Sequence, residues 1–180
     1  MTNRLFIALK LPLEVREEIV SITRQVYRGT GNLKWEPVEK LHLTVKFLGS
    51  VDESRTNEIS NLLTDCAEGF SKIKASYDRF GFFLPRILWV SLKTENHLFQ
   101  LVERIEEQFS GIGFEKEKRR FKSHITLLRM KEEPGPSFID AFRNYTLPQR
   151  EFEITEAALI KSTLKPSGSV YTDIQKIIFA

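Results

Sequence analysis

Leu41-His42-Leu43-Thr44-Val45-Lys46-Phe47-Leu48-Gly49 begins as a strict alternation of apolar and polar residues. Successive side chains of an extended strand point to opposite faces. His42 and Thr44 therefore share one face, and Leu43, Val45 and Phe47 share the other. The pattern returns in Phe121-Lys122-Ser123-His124-Ile125-Thr126-Leu127-Leu128-Arg129, where His124 and Thr126 have the same spacing between apolar neighbours. Of the three histidines in the chain, two stand in this setting. A single His-x-Thr strand signifies little, because threonine is a good strand former and a lone histidine on an amphipathic strand is commonly structural. Two copies, nearly half a chain apart, call for an explanation.

Outward from these strands, Arg4 to Leu11 is an apolar run stopped by Pro12 and reads as a buried strand. Leu13 to Tyr27 places Val15, Ile19, Ile22 and Val26 at helical spacing among charged residues, with Gly29 and Gly31 to close it. Gly49 ends the first histidine strand. Asp52 to Phe70 reads as a second helix, capped by Asp52 or Ser54, with Ile59, Leu62, Leu63 and Cys66 inward. Two strands follow, Ser71 to Phe83 and Arg86 to Lys93, joined around Leu84 and Pro85. A third helix spans Asn96 to Phe109, ahead of Gly111 and Gly113. After the second histidine strand come a turn at Pro134 to Pro136 and a short helix over Ser137 to Tyr145. One long or two bent strands cover Arg150 to Leu164, and a turn at Pro166 to Ser169 leads to a final strand, Val170 to Phe179. The class is α+β with antiparallel sheets. Strand, helix, histidine strand, helix occurs over Arg4 to Phe70 and again over Arg86 to Tyr145. This order suggests an internal duplication, in which a pseudo-twofold would set the histidine strands across a cleft.

With 180 residues, 41% hydrophobic and 28% charged, the chain suits one globular domain and excludes a disordered one. Its net charge of +3 suits an anionic ligand but is too small for a protein that coats duplex nucleic acid. Cys66 is the sole cysteine, so no internal disulfide forms, and a cytoplasmic location is expected. The unbroken apolar run Leu5 to Leu9 is too short for a signal sequence, and no segment approaches the roughly 18 apolar residues of a membrane span.

Two imidazoles facing one another suit in-line displacement at phosphorus, where one deprotonates the attacking water and the other protonates the departing oxygen. The hydroxyls of Thr44 and Thr126 would donate to the non-bridging oxygens. Arg129 would add a planar, permanently charged donor. It lies five residues past His124, so alternation sends it to the opposite face unless the strand bulges or ends there. Lys122, two before His124, shares its face and closes a basic run with Lys116, Lys118, Arg119 and Arg120. Phe47, Trp35 and Tyr171 are candidates for stacking a base, although alternation turns Phe47 inward. His97 lacks a companion threonine and reads as structural. There is no His-Glu-x-x-His, no cysteine cluster and no glycine-lysine phosphate loop, so no metal or cofactor is expected.

These motifs resemble the two-histidine phosphoesterases and, within them, the RNA 2′,3′-cyclic phosphodiesterases once named 2′-5′ RNA ligases. The resemblance rests on His42-Leu-Thr44-Val-Lys-Phe-Leu-Gly49 and Phe121-Lys-Ser-His124-Ile-Thr126-Leu-Leu-Arg129. It extends through Arg4-Leu-Phe-Ile-Ala-Leu, Lys34-Trp35, Pro85-Arg-Ile-Leu-Trp-Val and the Pro-x-Gly turn between Ser162 and Tyr171. It implies a single bilobed domain over residues 1–180, with two antiparallel sheets around a central groove and helices outside. It also implies metal-independent hydrolysis of a 2′,3′-cyclic phosphate to a 2′-phosphomonoester. His42 would be the proton donor to O3′ and His124 the acceptor that activates water, although the residues themselves leave these roles interchangeable. The implied partners are RNA 2′,3′-cyclic phosphate ends or cyclic nucleotides, and the chain is expected to act as a monomer. Leu128 stands where the family usually has alanine, implying a narrower pocket, and Ser123 stands where it commonly has proline, implying a looser approach to His124. The alternatives are a non-catalytic module that binds RNA ends or nucleotides, and a ligase running the same chemistry in reverse.

Overall fold

The apolar opening run forms β1 (Thr2–Lys10), with both faces covered: Leu5, Ile7 and Leu9 enter the main core, while Phe6 and Ala8 join a smaller cluster behind it. The computed structural model describes residues 1–29, 33–83, 86–166 and 168–180. The expected turn positions Gly31, Leu84, Pro85 and Ser167 lie outside the described residues. Helices follow where apolar residues recur at helical spacing. They are α1 (Leu13–Val26), α2 (Thr56–Ala67), α3 (Asn96–Gly111) and α4 (Pro136–Arg143). Each buries one stripe: Val15, Ile19 and Ile22 from α1; Ile59, Leu63 and Cys66 from α2; Leu98, Leu101, Ile105 and Phe109 from α3; Phe138 and Phe142 from α4. Asp52 caps a one-turn 3-10 helix (Glu53–Arg55) ahead of α2, its Oδ1 accepting from the Ser54 N–H at 2.9 Å. Pro136 sits in the first turn of α4, where its missing N–H costs nothing. Among the described residues no helix is long and apolar enough to cross a membrane.

The remaining strands are β2 (His42–Asp52), β3 (Ile73–Phe83), β4 (Ile87–Thr94), β5 (His124–Arg129), β6 (Glu151–Ile154), β7 (Glu156–Lys165) and β8 (Gly168–Ile178). The segment read as one long or two bent strands is divided at Thr155 into β6 and β7. All pairs are antiparallel, in the order β6-β3-β4-β5-β2-β1-β7-β8. The resemblance implies two sheets; the strands instead form one, closed across its middle by the single residue pair Leu43 and Ile125. Those two side chains are fully buried and hold the histidine strands together at this one pair. The helices pack on the face that carries Leu43 and Ile125, which leaves the histidine face uncovered by helix. Gly49 does not end β2: the strand runs on to Asp52, with Gly49 at φ 72°, a conformation that favours glycine.

Both histidine strands break their alternation at the third residue past the histidine. Thr44 pairs with Ala8 and Lys46 with Ile7, leaving Val45 unpaired. Thr126 pairs with Trp89 and Leu128 with Leu88, leaving Leu127 unpaired. An extra residue of this kind bends the strand and reverses which side chains face which way. Phe47, expected to point inward, is 73% exposed on the histidine face. Leu128 is enclosed in the core and therefore does not narrow the pocket. Lys46 is turned into the interior at 4% exposure, where its ammonium donates to Glu106 Oε2 at 2.6 Å and to the Glu115 carbonyl at 2.8 Å. This pair ties β2 to α3 and to the segment leading into β5.

Removing one member of a buried pair strands the other charge. Glu106→Leu is expected to lower the unfolding free energy by about 3 kcal/mol, and Lys46→Met with Glu106→Leu to recover most of it. Urea denaturation of the single and double variants checks this.

Candidate active site

His42, Thr44, His124, Thr126 and Arg129 line one cavity of about 50 Å³ between β2 and β5. Each imidazole is oriented by the same device. His42 Nδ1 lies 2.6 Å from the Lys40 carbonyl, and His124 Nδ1 lies 2.7 Å from the Lys122 carbonyl. A carbonyl only accepts, so each Nδ1 carries the proton and each neutral ring presents the lone pair of Nε2. The Thr44 hydroxyl lies 3.0 Å from His42 Nε2 and donates to it while the ring is neutral. Among the described residues His124 Nε2 has no hydrogen-bond partner in the protein. Aromatic rings flank each histidine: Phe6 at 5.0 Å and Tyr171 at 5.6 Å from His42, and Phe83 at 4.9 Å and Trp89 at 6.3 Å from His124, between centroids. Gly81 leaves room for this arrangement, since a Cβ there would lie 2.3 Å from the Trp89 ring.

Arg129 reaches the histidine face because of the bulge at Leu127, and Phe47 reaches it through the equivalent bulge at Val45. Tyr171 also lines the cavity, whereas Trp35 packs against Phe142 at 6.1 Å. Lys122 does not enter it. Its exposed ammonium lies 6.0 Å from the Phe83 centroid, and its contribution to His124 is the backbone carbonyl. His97 stacks on Phe70 and faces Glu95 at 3.4 Å, away from the cavity. Phe6, Lys40 and Glu36 line the site without having been expected there. Lys40 had a legible signal, since it stands two residues before His42 as Lys122 stands before His124. Glu36 had none, because a contact across a loop makes no period.

Burial is the chief cause of a lowered imidazole pKa at both sites, because it disfavours the charged ring. His42 falls from 6.5 to about 4, the Lys40 carbonyl partly opposing the drop and Lys10, Arg129 and His124 adding to it. His124 is also lowered, again opposed by its backbone acceptor and assisted by Arg129 and Lys122. Burial pushes the Tyr171 phenol up, helped by the charge of Glu36. Two neutral bases and the fixed cations Arg129 and Lys40 make a site that can receive an anion and exchange protons with it. Among the described residues no three His, Cys, Asp or Glu side chains gather as a metal site would require.

The chain belongs to the 2′-5′ RNA ligase superfamily, whose family model matches residues 11–166. It is 32% identical over 177 residues to a protein of Archaeoglobus fulgidus named RNA 2′,3′-cyclic phosphodiesterase, covering 96% of this chain and 98% of the relative. A protein of Methanocaldococcus jannaschii with the same name is 36% identical over 179 residues, covering 96% and 99%. Among solved structures, one from Thermus thermophilus superposes with a TM-score of 0.85 at 28% identity, covering 98% of this chain and 97% of that one. Escherichia coli LigT complexed with 3′-AMP superposes at 0.76 with 26% identity, covering 99% of each.

The lowered values fix a sign. Well above pH 6.5 both rings are neutral whether folded or not, and as the pH falls toward and below it the unfolded chain takes up protons that the folded site refuses, so acid destabilises the fold. Proton NMR should show both imidazoles titrating below 6.5 with His42 near 4, and added inorganic phosphate should move both upward. Values at or above 6.5 in the free protein would contradict the burial described.

Proposed function

We propose that the chain hydrolyses 2′,3′-cyclic phosphates at RNA ends or on nucleotides to 2′-phosphomonoesters, without a metal ion. The observation that carries this reading is the shared cavity: two imidazoles oriented through Nδ1, two threonine hydroxyls and Arg129 converge on a space fit for one phosphate. Water attacks phosphorus and gives its proton to His124 as the new P–O bond forms. The P–O3′ bond breaks, and protonated His42 supplies the proton that makes O3′ a hydroxyl. The product leaves as the phosphomonoester, and the two rings exchange their extra proton through solvent to reset the site. Thr44 and Thr126 donate to the non-bridging oxygens, and Arg129 balances their charge, so no metal is needed.

The free His124 Nε2 suits the acceptor, and the Thr44 bond to His42 Nε2 suits a donor held in one orientation. A ring with a pKa near 4 is a strong acid once protonated, and the incoming phosphate supplies the negative charge that lets it hold a proton. Phe47, exposed at the cavity mouth, stacks the base of the terminal nucleotide. Lys122 sits outside the cavity and steers the polyanion toward it rather than touching the reacting phosphate. The matching bulges, the order β-α-β-α before and after β3, and the paired aromatic flanks support an internal duplication around a pseudo-twofold. One core to which all four helices contribute supports a single bilobed unit. The site is complete within one chain, as a monomer requires, and the lone buried Cys66 suits the cytoplasm.

His42→Ala and His124→Ala are each expected to reduce turnover of a nucleoside 2′,3′-cyclic phosphate by roughly 10²- to 10⁴-fold, with no loss of wild-type activity in chelator. Chromatographic identification of the 2′-monophosphate checks which oxygen leaves; binding without turnover would instead favour the non-catalytic module. Phe47→Ala is expected to raise KM about tenfold with little change in kcat, as measured by initial rates.

A further inference from the structure

Among the described residues Glu36 is the one carboxylate lining the cavity, it has no part in the acid–base scheme, and it stands in a site for an anion. Its position is set by the bulge in β5. The Glu36 N–H donates to the carbonyl of the bulged Leu127 at 2.8 Å, and the neighbouring Trp35 bridges to Leu128. Glu36 Oε1 lies 3.6 Å from Arg129 Nε, beyond hydrogen-bond reach, and Arg129 is largely exposed. A contact of that length fixes the arginine weakly. The charge of Glu36, by contrast, acts on whatever anion enters.

The groups that face Glu36 are Arg129 from β5, Lys40 from the turn before β2, the two imidazoles and the Tyr171 phenol from β8. In the free protein both rings are neutral, and two cations against one carboxylate leave a single net positive charge to meet the ligand, Lys10 outside the lining being paired with Asp173. That matches a phosphodiester, which carries one negative charge. A phosphomonoester loses its second proton near pH 6 and then carries two. We propose that Glu36 sets the charge limit of this cavity, admitting the singly charged cyclic diester and repelling the doubly charged monoester that hydrolysis produces. Glu36 is thus a specificity-determining residue that favours substrate over product, and the inference rests on the hydrolase reading above.

In a common potential each ligand charge gains equally, so the factor for a dianion is the square of that for a monoanion. Glu36→Gln is expected to lower KM for a nucleoside 2′,3′-cyclic phosphate about threefold at pH 8, and to lower Kd for the nucleoside 2′-monophosphate about tenfold by calorimetry. At pH 5, where the monoester carries one charge, its gain shrinks to about threefold. Glu36→Asp keeps the wild-type ratio of the two affinities. Equal gains for both ligands at pH 8, a monoester gain that does not change with pH, or a weakening of both ligands would overturn the proposal. The last result would mark Glu36 as a support for Arg129. Calorimetry needs no turnover, so a protein that binds the monoester but hydrolyses nothing sinks the hydrolase reading while still reporting on Glu36.

Discussion

A strand paired on both sides can change which face a side chain occupies only by carrying a residue that its partner does not match, and each histidine strand does so three residues past its histidine, at Val45 and at Leu127, with a second unmatched residue at Leu48 in the first. Without the first bulge, Lys46 would stand beside Thr44 over the cavity and Phe47 would be driven into the core. Without the second, Arg129 would face the helices. The interior must accept what the bulge delivers, and at Lys46 it receives an ammonium. Glu106 and the Glu115 carbonyl make that tolerable, and the same contacts anchor the segment that feeds into His124. The geometry of one histidine strand is thereby coupled to the approach of the other.

Burial governs the chemistry as firmly as the bulges govern the geometry. Aromatic flanks desolvate both imidazoles, and nearby cations add to the penalty on protonation. With its pKa lowered to about 4, His42 is neutral at pH 7 in the free protein. An acid at His42 would therefore have to gain its proton together with an anionic ligand, whose negative charge offsets the cost of charging a buried ring.

Much of this was legible in the sequence because it is periodic. Both histidines, both threonines, the four helices and the antiparallel class follow from spacings of two and of about three and a half residues. Arg129 was readable only as a conditional, since alternation opposed it, and the condition it needed, a bulge, is what the strand supplies. Phe47 was a stacking candidate whose orientation alternation got wrong for the same reason: a bulge has no compositional mark when the inserted residue is an ordinary valine. Gly49 looked like a terminator, but positive φ inside a ladder serves an irregular pairing as readily as a turn. Lys122 matched the pattern and missed the site, because a long side chain two residues before a bound imidazole can swing out over Phe83 while its carbonyl does the orienting. Glu36, Phe6 and Lys40 come from elements whose position depends on tertiary contact, and no local period encodes that.

The parallels between the two strands make their differences informative. Each has its lysine carbonyl on Nδ1, two aromatic flanks and a lysine ammonium over the outer aromatic, Lys40 at 5.7 Å from Tyr171 and Lys122 at 6.0 Å from Phe83. Yet Lys40 lines the cavity and Lys122 does not, Thr44 engages Nε2 and Thr126 does not, and the fifth residue past the histidine is Phe47 in one strand and Arg129 in the other. Hydrolysis of a phosphodiester is itself lopsided, with a water on one side and a ribose oxygen on the other. Two sites of identical chemistry would have no means of keeping one ring protonated and its opposite number bare. The departures from equivalence sit on the groups that touch Nε2 and line the cavity, while the features that orient the rings are kept in both strands.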